Sequence, residues 1–105
     1  MHRRTAIDGL DSELMDPGRL LVATMLAEMQ WQEFTAICDA LDLTAPALSG
    51  RPAALHRAGY LETRRHGRRS SWRLTPLGFE RLVEHLDAIH AVVTKAGEIL
   101  AALRA

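Results

Sequence analysis

Ala58-Gly59-Tyr60-Leu61-Glu62-Thr63-Arg64-Arg65-His66-Gly67-Arg68-Arg69-Ser70-Ser71-Trp72-Arg73-Leu74-Thr75-Pro76 is the stretch on which the fold turns. Gly59 directly after Ala58 is a left-handed helix stop, because only glycine takes that backbone conformation without a Cβ penalty. Tyr60-Leu61-Glu62-Thr63 reads as a strand, and Ser71-Trp72-Arg73-Leu74 alternates as its return strand. His66-Gly67-Arg68-Arg69 between them is the turn. Thr75-Pro76 then opens a new helix: threonine caps, and proline loses nothing at a first-turn position whose N–H has no partner anyway. A helix end, a β-hairpin and a helix start are therefore packed into nineteen residues.

Upstream, the spacing predicts three helices. Asp16-Pro17 is a capped start, and Leu21, Val22, Met25, Leu26 and Met29 follow a 3.6-residue period, giving a first helix over Pro17–Met29. Residues 1–15 read as an N-terminal arm, loose over residues 1–10, where no periodicity is visible. Trp31-Gln32 is long enough only for a bridge or a stub strand. Phe34, Ile37, Cys38 and Leu41 share one face of a second helix, Glu33–Leu41. Asp42-Leu43-Thr44 is a tight turn, and Thr44 caps a third helix with Pro46 in its first turn. Gly50 and Pro52 fall in the middle of that helix. Pro52 cannot donate to the Leu48 carbonyl and clashes with it, a cost of about 3 kcal/mol in a regular helix, so the third helix is kinked or broken near 50–52. Such a break either re-aims Arg51 and the hairpin or weakens the surface they form. The intact basic hairpin favours the first.

Downstream of Pro76 there is no further proline, and helical spacing continues to Leu103. Phe79, Leu82, Leu86, Ile89, Val93, Ala96, Leu100 and Leu103 step by 3 and 4 alternately, a heptad seam. A helix over 76–104 would be about 43 Å long at 1.5 Å per residue. The remaining chain is too short to cover all of it, so a second copy is expected on its far half.

The chain has 105 residues, 48% of them hydrophobic, enough for one domain with one core. No apolar run reaches the ~20 residues that span a bilayer, and no signal-peptide pattern opens the chain, so a cytoplasmic location is expected. The single cysteine, Cys38, excludes an intrachain disulfide and reads as a small buried hydrophobe rather than a redox thiol. Net charge is zero, but the average hides a block. Arg51–Arg73 holds seven arginines (51, 57, 64, 65, 68, 69 and 73) against one acid, Glu62, which leaves +6 there and −6 elsewhere. A basic block of this kind is the electrostatic footprint of a polyanion site.

The element order is helix, helix, helix, strand, turn, strand, long helix. This is a mainly α fold with a small β-hairpin: a winged helix-turn-helix over 17–75 and a long C-terminal dimerisation helix over 76–104, in one domain. In such a motif the third helix enters the DNA major groove and the hairpin places its basic tip beside it. The residues also resemble a family. Phe34-Thr35-Ala36-Ile37, Leu41-Asp42-Leu43-Thr44, Leu48-Ser49, Ala58-Gly59-Tyr60-Leu61 and Trp72-Arg73-Leu74-Thr75-Pro76-Leu77-Gly78 look like the compact MarR-like winged-helix regulators of bacteria, over roughly residues 10–90. The use of twelve arginines to one lysine fits a high-GC bacterial source. The resemblance implies a dimeric repressor or activator on palindromic DNA, with Ser49, Arg51 and nearby positions facing the groove, Arg68 and Arg69 on the wing, and the terminal helix at the dimer interface. The DNA-binding residues expected are thus Thr44, Ser49, Arg51, Arg57, Arg64, Arg65, Arg68 and Arg69. The dimer residues expected are Phe79, Leu82, Leu86, Ile89, Val93, Leu100 and Leu103. Where relatives carry a basic residue, histidine and leucine after Leu-Ser, this chain has Gly50-Arg51-Pro52, which keeps a second reading open: a winged-helix protein–protein interaction module.

Other chemistry finds little support. His85 and His90 are five apart, off the i, i+4 geometry of a helical metal pair, and the ligand patterns of metal-sensing winged helices are missing. No cofactor or metal is expected. Ser49, Ser70 and Ser71 lack a nucleophile-elbow motif, Glu80-Glu84-Asp87 reads as a solvated face, and no enzymatic activity is expected. Trp31 and Trp72 read as packing for the hairpin and first helix. A small-molecule effector near the dimer cleft is the alternative, since MarR-like relatives often sense small aromatic molecules.

Overall fold

The computed structural model describes residues 7–105. After a 3-10 turn, Ser12–Leu14, the elements are α1 (Pro17–Met25), β1 (Gln32–Glu33), α2 (Phe34–Leu41), α3 (Ala45–Leu48), α4 (Arg51–Arg57), β2 (Leu61–His66), β3 (Arg69–Leu74) and α5 (Pro76–Arg104). The three strands form an antiparallel sheet in the order β1-β3-β2, a stub added to the expected hairpin. One core runs through all layers: Leu14, Val22, Ala23, Leu26, Ile37, Cys38, Leu48, Leu55, Tyr60, Leu61, Leu74 and Leu82 are buried against one another.

The hairpin base is locked to the start of α5. Leu61 pairs with Leu74, and the Thr75 N–H donates to the Tyr60 carbonyl at 3.0 Å. The Thr75 hydroxyl donates to the Gly59 carbonyl at 2.8 Å and accepts from the Gly78 N–H at 3.0 Å, capping α5. Gly59 takes φ +85° to bring the chain round. Gly78 lies directly on the Tyr60 carbonyl, where a Cβ would collide with backbone and with Leu74. The hairpin tip closes on Gly67 at φ +60° with Arg68 at negative φ, the pattern of a two-residue turn with glycine first.

Three expectations need correction, and the alternative left open for the third helix is resolved. Residues 1–6 of the expected arm lie outside the described residues, and the part of the arm over residues 11–15 is tied to the body. Leu14 is buried in the core, and Asp11 caps the 3-10 turn by accepting from the Glu13 N–H at 2.8 Å. Asp11 also accepts from the Tyr60 hydroxyl and donates its N–H to His85 Nδ1 at 2.9 Å. Burial first, and the Asp11 hydrogen bond second, push the Tyr60 phenol up to about 12. The first helix stops at Met25, not Met29. The Gln32 side-chain amide donates to the Met25 carbonyl at 3.0 Å and satisfies that end, and Met29 adopts φ +60°.

The third helix is broken rather than bent. α3 ends at Leu48, Gly50 takes φ +82° as the N-cap of α4, and Pro52 sits in the first turn of α4, where its missing N–H costs nothing. The break is clamped from α1. Arg51 Nε donates to Asp16 Oδ2 at 2.8 Å, and Arg51 Nη1 donates to the Ala47 carbonyl. The guanidinium stem lies against Gly18, where any Cβ would collide with it. Asp16 also caps α1 by accepting from the Arg19 N–H at 2.9 Å. The Arg51 hydrogen bond, then that backbone bond, hold the Asp16 carboxyl below the usual carboxylate range.

Leu82, assigned from the heptad to the dimer seam, is only 3% exposed and belongs to the core. The first half of α5 packs on α1 and the Gly9 region, so Gly78, Leu82, His85 and Ala88 point inward. Phe79 and Leu86, on the other face, are exposed, and Ile89 is half-buried. From Val93 onward every residue is exposed, with Val93 at 63% and Leu103 at 77%. The helix therefore projects beyond the body. The radius of gyration is 16.2 Å, against about 13 Å for a compact chain of this length.

Two glycine substitutions on α5 should act in opposite directions. Gly78→Ala is expected to cost about 3 kcal/mol or prevent folding, as overpacking against backbone does. Gly97→Ala, whose Cβ meets nothing within 4 Å, should add about 0.5–1 kcal/mol of helix stability. Urea unfolding at fixed protein concentration with far-UV circular dichroism checks both. Asp16→Asn keeps a good cap but loses the charge pair, and should cost up to about 1 kcal/mol near neutral pH, because the pair is a third exposed. The Asp16 carboxyl titrates lower in the folded than in the unfolded chain, so its contribution is fully present above the unfolded value and is lost as pH falls through the folded one. The gap between wild type and Asp16→Asn should accordingly close as urea titrations move from about pH 5 to about pH 2.

Candidate nucleic-acid interface

The hairpin alternation sorts its basic residues onto two faces. Cross-strand pairs Glu62–Arg73, Arg64–Ser71 and His66–Arg69 put Arg64, His66, Arg69 and Arg73 on one face, and Arg65, Ser70 and Trp72 on the other. On the first face the half-buried Trp31 ring takes two guanidiniums, Arg64 and Arg73, each 4.5 Å from its centroid. Arg73 is also paired with Glu62 at 2.7 Å. This stack stiffens the hairpin, since a cation over an indole face is attracted by the ring quadrupole. On the second face Trp72 packs toward the helices, edge-on to His56 with centroids 6.1 Å apart. Its Nε1 is buried without a hydrogen-bond partner among the described residues.

Arg68 and Arg69 stand exposed at the tip, with Arg65 and Arg64 behind them on β2. Arg69 approaches Glu33 at 3.7 Å, both largely solvent-exposed. Among the described residues no carboxylate lies within ion-pair distance of Arg57, Arg64, Arg65 or Arg68. Four positive charges are therefore left uncompensated on the hairpin and at the last residue of α4. Between hairpin and helices lies an open cleft of about 290 Å³. Its floor is Phe34, Pro52 and Trp72. Its polar edges are Glu33 and Thr35 at the start of α2, Ser49 and Gly50 at the helix break, and Arg68, Arg69 and Ser70 on the hairpin, with the Glu33 carboxylate facing Arg69. Donors from three elements around one concave strip match a phosphate backbone running between wing and helix.

Of the residues expected from sequence, Ser49, Arg68 and Arg69 meet at this cleft; Arg57, Arg64 and Arg65 do not line it, and Arg64 lies on the opposite hairpin face over Trp31. Thr44 caps α3: its Oγ1 accepts from the Ala47 N–H at 3.3 Å, which fixes the side chain at the helix start and leaves the exposed hydroxyl hydrogen to donate. Arg51 is a correction, since its guanidinium is drawn back to Asp16 and the Ala47 carbonyl and serves the fold. Sequence reasoning missed that clamp, the Trp31 double stack and Glu33 as an acid inside the basic face. The one available signal for the clamp was Gly18 in the first turn of α1, a small residue where the period alone needs none. Among the described residues no group of three His, Cys, Asp or Glu side chains could hold a metal ion. Among the described residues no helix is long and apolar enough to cross a membrane.

The family model described as "winged helix DNA-binding domain" matches residues 19–93. No curated protein sequence matches the chain. Among solved structures, a transcriptional regulator homologue from Pyrococcus horikoshii OT3 superposes with a TM-score of 0.71 at 26% identity, over 80% of this chain and 87% of that one. YusO from Bacillus subtilis gives 0.70 at 16% identity, over 94% and 77%. BpsR from Bordetella bronchiseptica, whose DNA binding is regulated by 6-hydroxynicotinic acid, gives 0.68 at 14% identity, over 91% and 82%. Reduced AbfR, solved bound to DNA, gives 0.68 at 20% identity, over 94% and 74%. These likenesses place the chain in the same fold as the winged helix read from the motifs. With hairpin, helix-turn-helix and long terminal helix in place and more than two thirds of its length matched by that model, the chain belongs to the winged helix DNA-binding domain family.

Proposed function

We propose that the chain is a sequence-specific double-stranded DNA-binding transcriptional regulator that acts as a homodimer. One observation carries the reading: Arg57, Arg64, Arg65 and Arg68 remain unpaired with acids on the hairpin and at the end of α4, and Arg68 and Arg69 line the cleft between the hairpin and the helix-turn-helix. Charges left in that state attract a polyanion and release its counterions on binding. The homodimer is supported by the far half of α5, where Val93, Ile99, Leu100 and Leu103 are exposed on a helix that has left the body. A two-fold axis along that helix would set two copies of the reading surface about 34 Å apart, one turn of DNA. The role is non-enzymatic and cytoplasmic. A small-molecule effector belongs to the proposal, by analogy with BpsR and 6-hydroxynicotinic acid. The broken third helix and the withdrawn Arg51 favour the second reading, a winged-helix protein-interaction module.

Fluorescence anisotropy against the upstream intergenic DNA and a shuffled control, at two salt concentrations, separates the two. The regulator binds tightly, prefers the native sequence and weakens steeply with salt. The interaction module binds weakly and equally to both. In the same assay Arg65→Ala with Arg68→Ala should weaken binding to every sequence, by about tenfold or more at low salt, and reduce the salt slope by about two per protomer. Sedimentation equilibrium should give a dimer for the wild type and a monomer for Leu100→Glu with Leu103→Glu. A wild-type monomer would contradict the dimer.

A further inference from the structure

We infer that this chain reads the major groove chiefly through the methyl groups of thymine, contacted by Ala45, Pro46 and Ala47, and not through hydrogen bonds to base edges. The inference rests on the DNA-binding reading above and names the class of sequence it selects.

In a helix-turn-helix, base edges are met mainly by the N-terminal part of the second helix. Here that part is α3, and its exposed side chains are Ala45, Pro46 and Ala47. The polar groups nearby are spoken for or short. Thr44 carries a short hydroxyl, fixed at the helix cap because its Oγ1 accepts from the Ala47 N–H, with only its O–H left to donate. The Arg51 guanidinium, the one side chain here able to make a bidentate contact to guanine, is held by Asp16 and the Ala47 carbonyl. Pro52 is buried and Ala53 half-buried. Ser49 offers a hydroxyl on a single carbon, at the lip of the cleft. His56 and Arg57 lie at the far end of α4, where His56 leans on the Trp72 ring.

Small apolar side chains have one complement on the major-groove edge of a base pair, the C5-methyl of thymine. Against them, the amino groups of cytosine and adenine and the acceptors of guanine would lose water without gaining a partner, and a desolvated polar group left unpaired is penalised. The short side chains also let the helix backbone approach the base edges closely. Discrimination therefore comes from fitting methyls and excluding polar edges, while the arginines of the wing supply sequence-independent affinity.

The test begins with selection of a 30-base-pair duplex from a random pool by the full-length protein. The enriched duplex is then resynthesised with deoxyuridine for every thymidine, which removes only the methyls, and separately with 7-deazaguanine and 7-deazaadenine, which removes the N7 acceptors. Each methyl is worth about fourfold in affinity by its apolar burial. The deoxyuridine duplex should bind at least tenfold more weakly than the parent, and the deaza duplexes within about threefold. Arg68→Ala should weaken binding to parent and deoxyuridine duplexes alike and keep their ratio. Ala45→Gln with Ala47→Gln should erase it. A deoxyuridine duplex bound within twofold of the parent, or a larger loss from the deaza bases, overturns the inference and leaves the regulator intact. A pool that yields no enriched sequence, with no binding above that of random DNA, overturns the regulator reading itself and the inference with it.

Discussion

The backbone carbonyl of Tyr60 is the point on which the architecture closes. It accepts from the Thr75 N–H and lies under Gly78, while the Thr75 hydroxyl ties Gly59 to the first turn of α5. A carbonyl at the end of a hairpin strand would otherwise face the next helix without a partner, which a buried backbone group does not tolerate. The same few atoms end α4, close the hairpin and start α5, so the base of the wing and the first turn of the long helix are tied directly to one another. The Tyr60 side chain adds a second tie: its hydroxyl reaches Asp11, whose backbone N–H reaches the buried His85 on α5.

The second organising constraint is the break between α3 and α4. A glycine and a proline in the middle of a helix would be ruinous if the helix were continuous. Here the glycine caps and the proline starts a new helix, so both residues become compatible with the chain. The break must then be held, and the Arg51–Asp16 pair does so across Gly18. That use of Arg51 changes the character of the surface around it. The strongest hydrogen-bonding side chain of the segment is removed from the DNA face, and the positive charge left for a polyanion sits on the wing and at the end of α4.

Much of the fold was legible because its punctuation is local. Thr75-Pro76 marks the start of α5, and the absence of any later breaker carries it to Arg104. Gly67 marks the hairpin tip, and Asp16-Pro17 marks α1. What escaped was set by tertiary contact. The end of α1 depends on Gln32 reaching back to the Met25 carbonyl. Leu82 satisfies a heptad as well as a core period, and only the packing of α5 on α1 decides between them. Leu14 and Asp11 lie in a stretch without period, and their partners Tyr60 and His85 are far along the chain. The site was legible at the level of charge, as a run of arginines. Which arginines are spent on acids depends on Asp16, Glu33 and Glu62 arriving from other elements. The folded geometry thus separates arginines that hold the structure from those that face outward.

Hydroxyl-radical footprinting of the full-length protein on a selected duplex tests the central claim most directly. A dimeric winged-helix reader should protect two short tracts on one face of the DNA, one helical turn of about 10 base pairs apart, flanked by minor-groove protection from the wings. A single protected tract, or uniform protection without a repeat, would contradict the account.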